Sequence, residues 1–221
     1  MMKRDRSSAF TLIELLMVLG LIALFTGLLA RALQGGDSAG ALQEGQGRVA
    51  RMLAAARGQA ALGENRAMLV VDADPVGEGF LRRMHLAVET APGSGQWQTR
   101  SDHVLLPAGV FIVPESTTAN GVVFAGPPGA WPPQCHSSLQ LAAPGTITTA
   151  AGNHAGLYLQ MTTPFDPGGA PESKGGDRLV LAPARRLPLG VEFHDPARAC
   201  GAVLSAYGVP LLVNQASGFG I

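Results

Sequence analysis

Between Phe10 and Ala30 the chain carries a single charge, Glu14, in an otherwise apolar run. Those 21 residues make about 31 Å of helix at about 1.5 Å per residue, the thickness of a bilayer's hydrocarbon core. Arg31 closes the run as a membrane-edge anchor. A short basic leader with Lys3, Arg4 and Arg6 precedes it. The leader is too short for an ordinary secretory peptide, and no small-residue cleavage site follows the apolar run. The apolar segment is therefore expected to stay attached. An acid inside a membrane-length helix is costly and marks function. Glu14 lies only about 6 Å along the helix from Phe10, near headgroup depth, and needs a partner once the helix packs against others.

The chain has 221 residues, so about 190 remain beyond the leader and apolar run, enough for one globular domain. Formal net charge is zero from 16 basic and 16 acidic residues; loss of Lys3, Arg4, Arg6 and Asp5 would leave 13 basic and 15 acidic. That balance argues against a nucleic-acid partner. The 29 glycines and 16 prolines signal many turns, below the level that signals disorder.

Beyond Arg31, Gly35-Gly36-Asp37-Ser38 weakens a continuous helix, as a kink or as a plain linker, and Asp37 or Ser38 fits a new helix start. From Ala39 to Leu62, Leu42, Val49, Met52, Leu53, Ala56 and Ala60 recur at helical spacing, with Arg48, Arg51 and Arg57 off that stripe. Glu44 and Arg48 sit four apart, placed to pair across one turn. After Gly63-Glu64-Asn65 the pattern turns to short strands. They are expected at 67–71, 80–88, 97–98, 104–106, 109–113, 121–124, 156–161, 178–181, 190–193 and 210–213, with Pro/Gly turns between them. Pro164 to Gly176 reads as an exposed loop.

Phe10-Thr11-Leu12-Ile13-Glu14-Leu15-Leu16, after a basic leader, resembles the signal of type IV prepilins and type II secretion pseudopilins. Ala9 stands where that family nearly always has glycine, and slower cleavage is the expected result. The resemblance implies a cut by the prepilin peptidase between Ala9 and Phe10, N-methylation of Phe10, and assembly through Glu14. There a neighbouring subunit's new α-amino group would neutralise the acid. It implies an α+β, pilin-like fold: a long N-terminal helix, its hydrophobic half transmembrane, packed on an antiparallel β-sheet head. The expected organisation is a leader at 1–9, a helix at 10–62 with 10–30 in the membrane or filament core and 38–62 amphipathic, and a β-rich head at 63–221. Localisation would be the inner membrane, single-pass, with the head in the periplasm. Partners would be other pilins or pseudopilins through the N-terminal helix, the prepilin peptidase and the inner-membrane assembly platform.

The order of later pieces is similar to the H-type minor pseudopilins (GspH/FimT domain), a domain shared with FimT and FimU minor pilins. The helix ends Ala-Arg-x-x-Ala before Asn65-Arg66, a tryptophan strand follows, then Leu106-Pro107-x-Gly109-Val110, Val123 to Gly129 and a last strand ending at Ser217-Gly218. The chain is longer than that family's members, with extra length between about Pro132 and Pro188. This resemblance implies a minor pseudopilin at or near the tip of a type II secretion pseudopilus. The alternative is a minor type IV pilin for pilus assembly or DNA uptake.

No Walker loop, Gly-x-Ser-x-Gly elbow, His-Glu-x-x-His or Cys-x-x-Cys occurs, so neither an enzyme nor a cofactor is expected. Cys135 and Cys200 are placed for a disulfide in an oxidising compartment, closing a loop of about 66 residues worth about 4 kcal/mol; two free buried thiols are the alternative. Cys135-His136 with His194 and Cys200 lacks the close ligand spacing of a zinc site, and no metal is expected. Asp72 and Asp74 precede Pro75, where turns use Asp routinely. Arg82-Arg83 and Arg185-Arg186 are the basic doublets of the head; a DNA-uptake role would need all four on one face.

Overall fold

A computed structural model describes residues 12–115, 117–119, 122–124, 131–143, 145–149, 157–188 and 190–220. The leader, Ala9 and Phe10 lie outside the described residues. The chain divides into two compact units, Met1–Ala39 and Gly40–Ile221. One helix, α1, runs Leu12–Gly63 over 52 residues, so the predicted long helix is present. Helical backbone includes Gly35 and Gly36, which corrects the plain-linker alternative. The glycine penalty of about 1 kcal/mol each is small against the length of helix on either side.

In the first unit, the side chains of 12–26 are all exposed. Leu12, Ile13, Leu16, Met17, Leu19 and Leu24 are each more than half exposed and distribute around the whole helix circumference. Among the described residues no helix is long and apolar enough to cross a membrane. The expected span at 10–30 is thus not shown as transmembrane. Residues 10 and 11, and the side chains of 27–30, lie outside the described set.

In the second unit, Leu42, Val49, Leu53, Ala56 and Ala60 are buried at i, i+3, i+4 spacing. Gly45 completes the stripe: a Cβ there would stand 3.3 Å from Val110 Cγ1 and 3.5 Å from Leu181 Cδ1, so its absence lets the helix approach the sheet. The polar face carries the expected pair, with Arg48 Nε donating to Glu44 Oε1 at 3.1 Å.

The strands are β1 Ala67–Asp72, β2 Arg83–Glu89, β3 Trp97–Leu105, β4 Val110–Ile112, β5 Thr117–Ala119, β6 Val122–Phe124, β7 Gln140–Leu141, β8 Ile147–Thr148, β9 Tyr158–Gln160, β10 Arg178–Leu187, β11 Gly190–Phe193, β12 Cys200–Leu204 and β13 Pro210–Val213. One sheet has the order β7-β9-β1-β2-β3-β8; a second has β11-β10-β12-β13 with β4 also on β10; β5 and β6 form a separate hairpin. All pairings are antiparallel except β3 with β8. The helix stripe, the inner faces of β1 and β2, and β4, β10 and β12 share one core. The arrangement is a helix packed on mostly antiparallel sheet, an α+β pilin-like fold.

One expectation is corrected here. Pro164–Gly176 is not simply an exposed loop, because Phe165 is fully buried and bridges Ala67, with Phe165 N donating to Ala67 O at 2.7 Å. Within the segment from Pro132 to Pro188, where the extra length was expected, β9 pairs with β1 and β10 is the spine of the second sheet.

Candidate functional site

Glu14 occupies the first turn of α1, where a carboxylate meets the positive end of the helix dipole. It stands among exposed Leu12, Ile13, Leu15 and Leu16. In water, an all-round apolar helix surface is uncompensated, and such a helix belongs inside a core, a bundle or a lipid layer. Chemically the segment can do one thing well: bury its apolar surface against like helices or lipid. The expected cleavage pair Ala9 and Phe10, and the expected methylation of Phe10, lie outside the described residues.

The cysteines take the alternative reading. Both are free and buried, which corrects the expected bridge. Cys135 ends a short 3-10 turn at Pro133–Cys135, and its Sγ–H points to Ala216 O at 3.9 Å. Cys200 opens β12, its Sγ–H pointing to Leu42 O on the helix at 3.7 Å. Each thiol serves a different contact of the core. Burial raises both, Cys200 to about 11. Among the described residues no group of three or more His, Cys, Asp or Glu side chains gathers as a metal site.

Two polar networks hold the head and were not legible in the sequence. Gln46 sits on the apolar stripe, buried, and its Nε2 donates to Gly201 O at 2.8 Å and Val213 O at 3.0 Å. One side chain thus ties the helix to two strands. Where the chain leaves the helix, Arg66 Nε donates to Glu89 Oε2 at 2.7 Å, and the second guanidinium arm closes on Oε1. Gly95 N donates to Glu89 Oε1 at 2.8 Å and Gly93 N to Oε2 at 3.2 Å. Arg66 also reaches Glu172 at 3.1 Å and lies over the Trp97 ring at 5.4 Å. The Arg66 hydrogen bond, with help from the two glycine N–H groups, holds the Glu89 carboxyl down at about 2. A hydrophilic residue at a core-spaced position, as Gln46 is, was the available signal for the first network. Glu89 gave none, because its partner lies 23 residues away.

Asp74 behaves as a turn residue, its Oδ1 accepting from Val76 N at 2.9 Å. Asp72 instead joins Arg83 at 3.4 Å and His85 Nε2 at 2.9 Å. The basic doublets divide. Arg82, Arg83 and Arg186 line one groove of about 390 Å³ with Glu78, Leu105 and Phe111. Arg185 is exposed and pairs with Glu192 at 3.3 Å.

Comparison with known families matches residues 4–30 to the prokaryotic N-terminal methylation motif, the type IV prepilin-like signature. The match spans Arg4 and Arg6 of the leader, the expected cleavage pair, Glu14 and the apolar run to Ala30. No curated protein and no solved structure matches the chain.

Proposed function

We propose that this chain is a structural subunit of a pilin-like filament, a minor pseudopilin of a type II secretion pseudopilus placed at or near its tip. The single observation that carries the reading is the methylation motif ending in a helix whose described first 15 residues are exposed, apolar and marked by one acid. Prepilin peptidase would cut after Ala9, leaving a cationic, methylated amine on Phe10. Helices then exchange lipid for one another, and Glu14 of one subunit takes the amine of the next. A single buried pair of this kind sets register, because any slipped alignment leaves an uncompensated charge in apolar surroundings.

The reading gives the head a role in presentation. The reading assigns no catalytic step and no cofactor. It places the protein in the inner membrane with its head in the periplasm before assembly. Its partners are other pseudopilins, the peptidase and the assembly platform.

N-terminal sequencing with intact mass of the chain extracted from membranes tests the reading. A new terminus at methylated Phe10 supports it. A terminus at Met1 or Met2 in a strain with active peptidase contradicts it. The minor pilin alternative for DNA uptake draws on Arg82, Arg83 and Arg186 sharing one groove. Gel shifts of the full chain in detergent across a salt series separate it: tight, steeply salt-dependent DNA binding favours uptake, and none favours the secretion filament.

A further inference from the structure

The loop before β2 folds back tightly on itself. Arg82 N donates to Gly79 O at 2.8 Å, and Leu81, fully buried, holds a left-handed φ of 54°. A branched residue in that region costs on the order of 1–3 kcal/mol, and such strain gathers at functional sites. Phe80 and Leu81 stay in the core, and Arg82, next along the turn, is half-buried. The Arg82 guanidinium lies over the Phe111 ring at 5.4 Å and donates to Leu106 O at 2.8 Å. Arg186, from β10, lies over Phe80 at 5.1 Å and donates to Gly77 O at 2.9 Å.

Both guanidiniums are half-buried and held by neutral groups. Among the described residues no carboxylate makes an ion pair with either, whereas Arg83 beside them has Asp72. Arg82 Nε and Arg186 Nη1 are buried N–H donors without an acceptor. Burial, and then the neighbouring Arg186 charge, push the Arg82 guanidinium below its ordinary value. Partly buried charges are normally paired. Here two guanidiniums without an ion pair line one concavity, beside Arg83, which is paired with Asp72.

We propose that this groove is a carboxylate-binding site, which takes an acidic side chain from a neighbouring protein subunit between Arg82 and Arg186. A guanidinium fork matches a planar carboxylate, and the ring faces behind both arginines fix the forks in place. Leu105 and Phe111 give the groove an apolar wall suited to the methylenes of a Glu side chain. Nucleic acid fits less well, since several phosphate contacts are needed at physiological salt and this one groove offers few. The identity of the partner rests on the assembly reading; the carboxylate chemistry rests on the groove alone.

Full-length chain in detergent micelles, labelled at arginine Nε with ¹⁵N, is titrated with acetyl-glutamate amide at constant ionic strength. The expected result is a saturable shift of the Arg82 and Arg186 Nε–H signals, absent with acetyl-glutamine amide. Arg82→Gln should weaken the interaction about tenfold, equal to about 1.4 kcal/mol. Glu78→Gln should strengthen it by removing the competing internal acid. Arg186 also anchors the Pro75–Gly77 loop, so Arg82→Gln, with circular dichroism to verify its fold, is the deciding variant. A linear response, or equal responses to both amides, overturns the proposal. Tighter binding of a DNA oligonucleotide with a steep salt slope overturns it in favour of phosphate. A loss of binding here leaves proteolytic processing at Phe10 unaffected, so the two readings fail separately.

Discussion

Arg66 forks onto Glu89, with both carboxylate oxygens engaged and the Glu89 side chain fully buried. The pair locks the end of α1 to the β2–β3 turn, because the same carboxylate also accepts from Gly93 and Gly95. Removing one member leaves an uncompensated buried charge. Arg66→Ala should therefore cost about 3–5 kcal/mol of stability by chemical denaturation. Acid should reveal the same pair. The folded carboxyl sits at about 2 against an ordinary 4.5, so its contribution is complete above pH 4.5 and is lost as pH falls toward 2. Glu89→Gln should flatten the stability–pH curve in that window.

Gln46 offers a second test of the helix–sheet seam. Gln46→Leu keeps size but removes the donor for Gly201 O and Val213 O, leaving two buried carbonyls short of a partner. The expected loss is about 1–3 kcal/mol in the same measurement. A neutral result would mean that water or a backbone donor replaces the amide.

Gly201 is required by close approach. A Cβ there would lie 1.9 Å from Leu179 O on the paired strand β10. Gly201→Ala must push β12 from β10, at a cost of about 1–3 kcal/mol or more, whereas Gly47→Ala on the helix, with open space around it, should be neutral or stabilising. Thermal melts of the two variants compare them directly.

The cysteines lead to a redox expectation opposite to the one that compartment alone suggests. With both thiols free and buried, reductant should leave the melting temperature unchanged. Alkylation of the folded chain at pH 8 should run about a hundredfold or more slower than in denaturant, since burial suppresses the thiolate. Two modified cysteines in the denatured, unreduced chain confirm the free state; none would indicate a bridge.

Much of this architecture was legible where local chemistry repeats. Leu42, Val49, Leu53, Ala56 and Ala60 announce a helix face by spacing, and Gly-bounded apolar runs mark β1, β4, β6 and β11. β12 escaped notice because Gly201 interrupts a run of small residues, and the glycine is there for a neighbour that local sequence does not reveal. β3 read as two fragments because Arg100, Ser101 and Asp102 divide its apolar ends. Phe165 looked like a loop residue among prolines and glycines, yet it fills the core through a bridge to Ala67. The arginine groove joins residues about a hundred positions apart, so members of the two doublets meet only when the chain is folded. By contrast, the motif at the N-terminal end is wholly local, and for that reason it was plain from the sequence.

The central claim is that Glu14 drives assembly by pairing with a neighbour's amine. The most direct test is the amount of chain in sheared filaments from cells making wild-type or Glu14→Leu protein at equal membrane levels. Glu14→Leu should be processed normally yet fall at least about tenfold in the filament fraction, the scale of one lost buried charge pair. Entry of Glu14→Leu into filaments at the wild-type level would contradict it.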